Sequence, residues 1–411
     1  EESAIKLGLG ECRMSKCVTV YTQAYNVENY IEQCIKSVLS QTFQDFEWIL
    51  VENGSTDKTR EIIRKYAALD ERIKPDYFDV NQDGFTNYYI AEKADGRYIV
   101  KIDSDDWIEP EYLEKLIAPF EDPDVDISIC GAVNYEEETG RETPHEYGEL
   151  DGVYSKSDIE KQFIEMRSYM GTYWGKMFRR EIFCSILPDM KEIGEKLKKG
   201  DNFGGDVAFA LCYLGECKKL AFVNERMYHY RIHNNSYATR TIGTNRVFSC
   251  LALRETEHHF LHKVNAYTEQ NVIMVDLLFW QNIEQLFKNI IRADWDTDQK
   301  IKTISEVCAN KDLQLLRKEA YNSKVRTILM GDIAWCYMNA GNSKYLKNVL
   351  MLLEPDIFDS ISNETYEWMR ENQILMSYII MGEFDNAKRY MEEITTGNNV
   401  DYIRELQQRM H

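Results

Sequence analysis

The sequence predicts an α/β sheet domain followed by an all-α domain. Two observations carry this. Through residues 16–240 short β-rich runs alternate with amphipathic helical segments, and from 241 to 411 the strand signals stop and long helical segments take over. The length of 411 residues points the same way, because one ordinary hydrophobic core does not grow that large and two or three domains are expected. Hydrophobic residues at 44% and charged residues at 29% are ordinary for a globular chain and argue against extensive disorder.

Taken in order, residues 1–15 form an N-terminal extension, with Met14 standing just before the first strand-like segment. Residues 17–22 form the first strand. Val27, Ile31, Cys34, Ile35, Val38 and Leu39 then recur at helical spacing. A second buried strand covers residues 47–52, and Asn53-Gly54-Ser55-Thr56-Asp57 supplies a turn and capping side chains for a helix striped by Ile62, Ile63 and Tyr66. The third strand, residues 97–102, ends in Asp103-Ser104-Asp105-Asp106 before Pro110 opens another helix. Those acids therefore sit at a strand's carboxyl end, the edge where open α/β sheets bind ligands. In the helical half, Tyr337 and Gly341 are echoed by Tyr378 and Gly382, which predicts TPR-like hairpins of roughly 40 residues within 325–395.

The formal net charge of −20, from 69 acids against 49 bases, works against a broad phosphate-neutralising surface, so nucleic acid is not an expected partner. An acidic chain that must hold a diphosphate needs a bound divalent cation or a few well-placed basic groups. The 10 cysteines occur singly, without a CxxC pair, and read as buried thiols in a reducing compartment. The longest strongly apolar run, residues 272–280, is broken by Asp276 and is far shorter than the roughly 20 residues of a membrane helix. No secretory signal opens the chain, so a cytoplasmic location is expected, including the inner face of the membrane as a peripheral protein.

A divalent cation held at a strand's carboxyl end can neutralise and orient a bound diphosphate. Asp103 and Asp105 offer the hard oxygens that Mg²⁺ or Mn²⁺ prefers. A solvated loop capping the Pro110 helix is the competing account of DSDD taken alone. Four stretches in order favour chemistry: AYNVENYIEQCIKSVLSQTFQDFEWILVENGSTD (24–57), ADGRYIVKIDSDDWIEPEYLEKL (94–116), TYWGKMFRREIF (172–183), and GGDVAFAL through YHYRIHNNS (204–236). Together they resemble the family 2 glycosyltransferases of the GT-A fold. The likeness spans most of the first half of the chain.

The resemblance implies roles for individual residues. Asp105 would be the direct metal ligand, Asp103 would touch ribose or metal, and Ser104 and Asp106 would lie against the donor, Asp106 on its sugar side. His233 would close the metal shell, which leans the choice to Mn²⁺ over Mg²⁺. Asp206 would be the base of an inverting transfer; family members usually show Glu-Asp there, and Gly205 replaces the first acid. Tyr25, Glu52, Asn53 and Asn81 would meet the nucleotide, UDP ahead of other bases, while Trp107, Lys176 and Arg231 would reach acceptor or diphosphate.

Departures gather on the nucleotide face, where Gln23 replaces a usual proline and Asn87 a common arginine, so an altered donor pocket with retained chemistry is expected. The acceptor would be a glycan, a lipid-linked molecule or a protein, in cell-surface polysaccharide or glycoconjugate synthesis, with the helical half binding acceptor, membrane assembly or a second copy of the chain. Two rivals stand beside this: a sugar nucleotidyltransferase, which would open with a glycine-rich basic loop, and a helical-repeat adaptor carrying a vestigial sugar-nucleotide domain. His258, His259 and His262 lack the glutamate of a metalloprotease helix and read as a polar helix surface.

Overall fold

The computed structural model describes residues 16–82, 86–145, 150–233 and 245–293, together with parts of 295–320. Residues 1–15 and the hairpins expected within 325–395 lie outside the described residues. Elements follow the predicted alternation: β1 (Lys16–Ala24), α1 (Ile31–Leu39), β2 (Phe46–Asn53), α2 (Thr59–Ala67), β3 (Ile73–Phe78), α3 (Thr86–Lys93) and β4 (Gly96–Lys101). The short β5 (Trp107–Ile108), α4 (Tyr112–Ile117), β6 (Val125–Glu136), β7 (Arg141–Pro144), β8 (Gly152–Ser155) and α5 (Ile159–Ser168) come next. After these stand β9 (Lys176–Arg179), α6 (Arg180–Ser185), α7 (Leu187–Leu197), α8 (Gly205–Glu216) and the long β10 (Lys219–Ile232). Helices α9 (Arg246–Lys263), α10 (Glu269–Arg292) and α11 (Lys311–Ala320) complete the described chain.

The ten strands form one mixed sheet ordered β3-β2-β1-β4-β9-β6-β10-β5, with β7 added to β6 and β8 to β10. Its first four strands are parallel. Every residue of β2 is buried, as expected where helices cover both faces of a parallel sheet. Val18, Val20, Trp48, Leu50 and Val100 meet Ile31, Cys34, Ile35 and Val38 of α1 in one core cluster. The indole N–H of Trp48 donates to Thr22 Oγ1 at 3.1 Å, so this large buried side chain leaves no orphan donor.

Antiparallel β9 wedges between β4 and β6. Its Arg179 pairs with the buried Asp126 at 3.0 Å, and Asp126 also accepts the Lys218 N–H at 2.7 Å. A buried carboxylate satisfied from two sides is costly to disturb, and this one fixes the start of β10 beside β6.

The described residues divide into two compact units. The first takes in residues up to Glu195, then 204–233, then Glu255–Val272; the second takes in Lys196–Phe203, 245–254 and residues from Ile273 onward. Within the first, Arg167 of α5 pairs with the buried Glu257 at 2.6 Å. Within the second, Ser249 Oγ donates to Leu197 O at 3.1 Å, and Val275, Phe279, Ile283, Leu286 and Ile290 bury one face of α10 at helical spacing. Among the described residues no disulfide joins two cysteines, and no helix is long and apolar enough to cross a membrane.

Candidate active site

The loop Asp103–Asp106 leaves β4 as a tight turn, with the Asp106 N–H donating to Asp103 O at 3.2 Å. Three carboxyl groups crowded into one turn repel one another unless opposing groups hold them, and the end of β10 supplies those groups. Tyr228 accepts the Asp103 N–H at 3.1 Å and donates its hydroxyl to Asp106 Oδ2 at 2.7 Å. The Arg231 N–H donates to Asp106 Oδ1 at 2.8 Å, its Nε to Asp105 O at 2.8 Å and its Nη2 to Gln33 Oε1 at 2.7 Å. The guanidinium lies over the rings of Tyr30 at 4.9 Å and Trp107 at 4.8 Å, and Trp107 stacks on His229 at 4.7 Å. Arg231 thus clamps the acidic turn between α1 and β10.

Just past β10, His233 Nε2 stands 3.0 Å from Asp105 Oδ2, with Tyr30 packed on the imidazole at 4.9 Å. Burial raises the Asp105 pKa, Asp103 adds to the rise, and the His233 hydrogen bond opposes it. Asp106 is raised well above the usual carboxylate range, first by burial and then by Asp105 and Asp103. A site that raises acids in this way is short of positive charge, and a cation relieves it. Among the described residues no group of three or more His, Cys, Asp or Glu side chains is gathered as a metal cage. The pair nevertheless fits an ion held mainly by substrate phosphates. Donors 3.0 Å apart suit two adjacent octahedral positions at about 2.1 Å from the ion, since that length times the square root of two is about 3.0 Å.

Asp206 lies in the first turn of α8, whose N-cap Gly204 takes φ 78°, a left-handed conformation that favours glycine. Its residue surface is open to solvent, yet the surrounding protein still strips enough water to raise its pKa, the main cause; Asp103 adds to this, while Lys101 and Lys176 oppose it. The open edge decides access, and the crowded edge decides the charge. Lys101 pairs with Asp103 at 3.2 Å. Burial pulls its pKa down, but Asp103 and Asp206 together push it up.

Several expected ligand contacts require correction. Lys176 is 1% exposed, and its ammonium donates to Thr172 O, Thr172 Oγ1 and Trp174 O at 2.7, 2.9 and 3.2 Å. All three protons are committed, so it reaches neither acceptor nor diphosphate; burial lowers its pKa to about 7. Glu52 is fully buried and its carboxylate is taken by Arg60 and the Ser55 N–H, so it braces the loop and does not meet a nucleotide. Asp106 is 1% exposed and spends both oxygens on Tyr228 and Arg231, so it does not face the sugar.

Asn53 binds Asn81 through its amide at 2.7 Å and accepts the Gln82 N–H at 3.0 Å, tying β2 to the loop after β3. Gly54 at φ 77° allows this closure, since a Cβ there would stand 2.6 Å from Val80 C. Tyr25 is 38% exposed and Asn81 is exposed, so both face solvent on this side, while Ser104 is buried within the acidic turn. His262 and His258 of α9 meet Tyr267 of the following loop, which stacks on His262 at 3.8 Å and stands 3.2 Å from His258 Nδ1 by its hydroxyl. Sequence reasoning missed Lys101, Gln33, Tyr30 and Tyr228. Only Lys101 left a trace, as a charged side chain closing the buried run Tyr98–Val100 of β4.

The glycosyl transferase family 2 model matches residues 19–187, which hold β1 through the acidic turn and on to α6. EpsH of Bacillus subtilis, named as a glycosyltransferase, is 31% identical over 305 residues, 72% of this chain and 84% of that protein. The chondroitin synthase of Pasteurella multocida is 23% identical over 362 residues, 87% of this chain but 34% of its own length. Among solved structures, Staphylococcus aureus TarS 1-349 in complex with UDP-GlcNAc superposes with a TM-score of 0.53 at 19% identity, covering 82% of this chain and 90% of that one. At that identity the likeness speaks for the fold, which is GT-A. The match to EpsH over most of both chains, together with the family pattern across β1 to α6, makes this chain a member of the family 2 glycosyltransferases.

Proposed function

We propose that this glycosyltransferase is metal-dependent and inverting, moving a sugar from a UDP-sugar to a glycan, lipid-linked or protein acceptor in surface polysaccharide or glycoconjugate synthesis. The observation that carries the proposal is the Asp105–His233 pair, 3.0 Å apart beside the raised carboxyls of Asp105 and Asp106. The TarS complex with UDP-GlcNAc supports the choice of UDP, and the polymer made by chondroitin synthase supports a growing glycan as acceptor. A Mn²⁺ or Mg²⁺ ion bound there would neutralise the departing diphosphate.

The chain's own residues do the rest. Arg231, Tyr228 and Gln33 hold the acidic turn, so the loop that carries Asp105 is set in place by the protein itself. Asp206 takes the proton of the acceptor hydroxyl as that oxygen bonds to the anomeric carbon and the bond to the diphosphate breaks. A carboxyl raised by its surroundings is a better base than a free one, provided that it remains ionised at the working pH. The peripheral membrane location and self-association through the helical half belong to the same proposal.

The test is a panel of nucleotide sugars with and without Mn²⁺, run on the unsubstituted chain, Asp105→Ala and Asp206→Asn. We expect Asp105→Ala to lose metal-dependent UDP binding. Asp206→Asn should keep that binding and lose transfer by about 10²-fold or more. Full transfer by a folded Asp206→Asn removes it as the base, and metal-independent binding and turnover throughout would overturn the metal reading.

A further inference from the structure

One charge at the site has no part in the transfer chemistry proposed for Asp105, His233 and Asp206. Lys101 ends β4 with its Nζ 3.2 Å from Asp103 Oδ1 and its side chain 18% exposed. The ammonium lies over the Tyr173 ring at 5.1 Å, and Tyr173 is itself held by a 2.8 Å hydrogen bond from its hydroxyl to Asn87 Oδ1. Strand register sets Lys101 beside Tyr21, whose buried hydroxyl has no hydrogen-bond partner among the described residues. The preceding residues Tyr98, Ile99 and Val100 are buried apolar groups. An ionic side chain closing such a strand is costly unless it compensates other charge. The charges that act on it are Asp103 and, from the first turn of α8, Asp206.

We propose that Lys101 is a positioning residue of the transfer site, holding the Asp103 carboxylate out of the cation's shell and standing as the fixed positive charge opposite Asp206. The inference rests on the proposed roles of Asp105, His233 and Asp206. It assigns the two aspartates of the DSD turn different duties: Asp105 meets the ion, and Asp103 is neutralised by the protein. The charged and titratable groups facing Asp206 are Lys101, Asp103 and Lys176, with the Tyr173 phenol beside them. Lys176 is spent on backbone and Thr172 oxygens, which leaves Lys101 as the cation that couples the two acids.

The experiment compares Lys101→Met, Lys101→Arg and the pair Lys101→Met with Asp103→Asn in the full chain. Mn²⁺ is titrated without donor by the loss of its free-ion electron paramagnetic resonance signal. The pH profile of kcat/KM is measured with the UDP-sugar that the panel finds active. Lys101→Met should bind Mn²⁺ several-fold tighter, because Asp103 is no longer neutralised. Its acid limb should move up by on the order of one pH unit, because Asp206 has lost the charge that favours its ionised form. Lys101→Arg should restore both.

The paired substitution removes opposite charges together and should bring Mn²⁺ affinity back to within about threefold of the unsubstituted chain. A tenfold loss there would make Asp103 a ligand and overturn the proposal, as would a folded Lys101→Met with unchanged Mn²⁺ affinity and an unmoved acid limb. A merely structural lysine would lower activity at every pH and shift neither readout. If the unsubstituted chain binds Mn²⁺ only together with UDP, the same titration is run with UDP present, and if it binds none in either case the metal reading falls and the pH limb alone decides Lys101.

Discussion

Replacing Tyr228 by Phe isolates one oxygen on which the acidic turn depends. The ring is kept, and with it the parallel stack on Trp174 at 4.4 Å, so no cavity opens. The substitution removes an acceptor for the Asp103 N–H at 3.1 Å and a donor to Asp106 Oδ2 at 2.7 Å, both at a fully buried site. A hydrogen bond to a charged group contributes about 1.5–3 kcal/mol, and a buried donor left unsatisfied costs about 1–3 kcal/mol. The two losses share one site, so their sum is bounded at about 2–4 kcal/mol. At about 2–4 °C per kcal/mol for a domain of this size, the melting temperature should fall by about 4–16 °C. Thermal unfolding followed by circular dichroism, with and without Mn²⁺ and UDP, measures it, and the loosened turn should also weaken Mn²⁺ binding. A melting temperature within about 1 °C of the unsubstituted chain would refute the claim that β10 holds the turn through this hydroxyl.

Three other named groups carry expectations of their own. Lys176, lowered to about 7 by burial, is charged in both folded and unfolded chains below that pH; between about 7 and the unfolded value near 10.4 the unfolded chain binds the extra proton. The unsubstituted chain should therefore gain stability relative to Lys176→Met as pH rises from 7 to 10, and parallel urea midpoints across that range would contradict the assignment. Asp106 is raised in the folded state, so its contribution to stability is full below about 3.9 and is lost as pH rises through the raised value; Asp106→Asn should flatten that part of the metal-free stability profile, and an unchanged slope would count against it. A Cβ at Gly205 meets nothing within 4 Å, so Gly205→Ala should stabilise the first turn of α8 by about 0.5 kcal/mol through the unfolded state, and a clear loss in the denaturation midpoint would show hidden strain there.

The parallel half of the sheet was legible because strands covered on both faces are predominantly apolar and end in turn residues, as Phe46–Asn53 does before Gly54. The acidic turn was legible for the same local reason, and its likeness to a family assigned Asp105, His233 and Asp206 their expected places. The groups that hold the turn were not, because they lie far along the chain: Tyr228 and Arg231 meet Asp106 across separations of 122 and 125 residues. Side-chain commitment is equally invisible in one dimension. Glu52 and Lys176 carry ligand-like chemistry at family positions, and only the fold reveals that Arg60 and the Thr172–Trp174 carbonyls have already taken them. Lys101 stands between these cases, a charge readable at a strand end whose two partners come from different elements.

If Asp105 and His233 together bind the ion that carries the donor diphosphate, a crystal of the full chain grown with UDP and Mn²⁺ will show it, provided that anomalous scattering is recorded for manganese. We predict one anomalous peak at about 2.1–2.3 Å from Asp105 Oδ2 and His233 Nε2, with the UDP phosphates completing its shell and Asp103 still paired to Lys101. A manganese peak on UDP with Asp105 and His233 turned away from it would contradict that assignment.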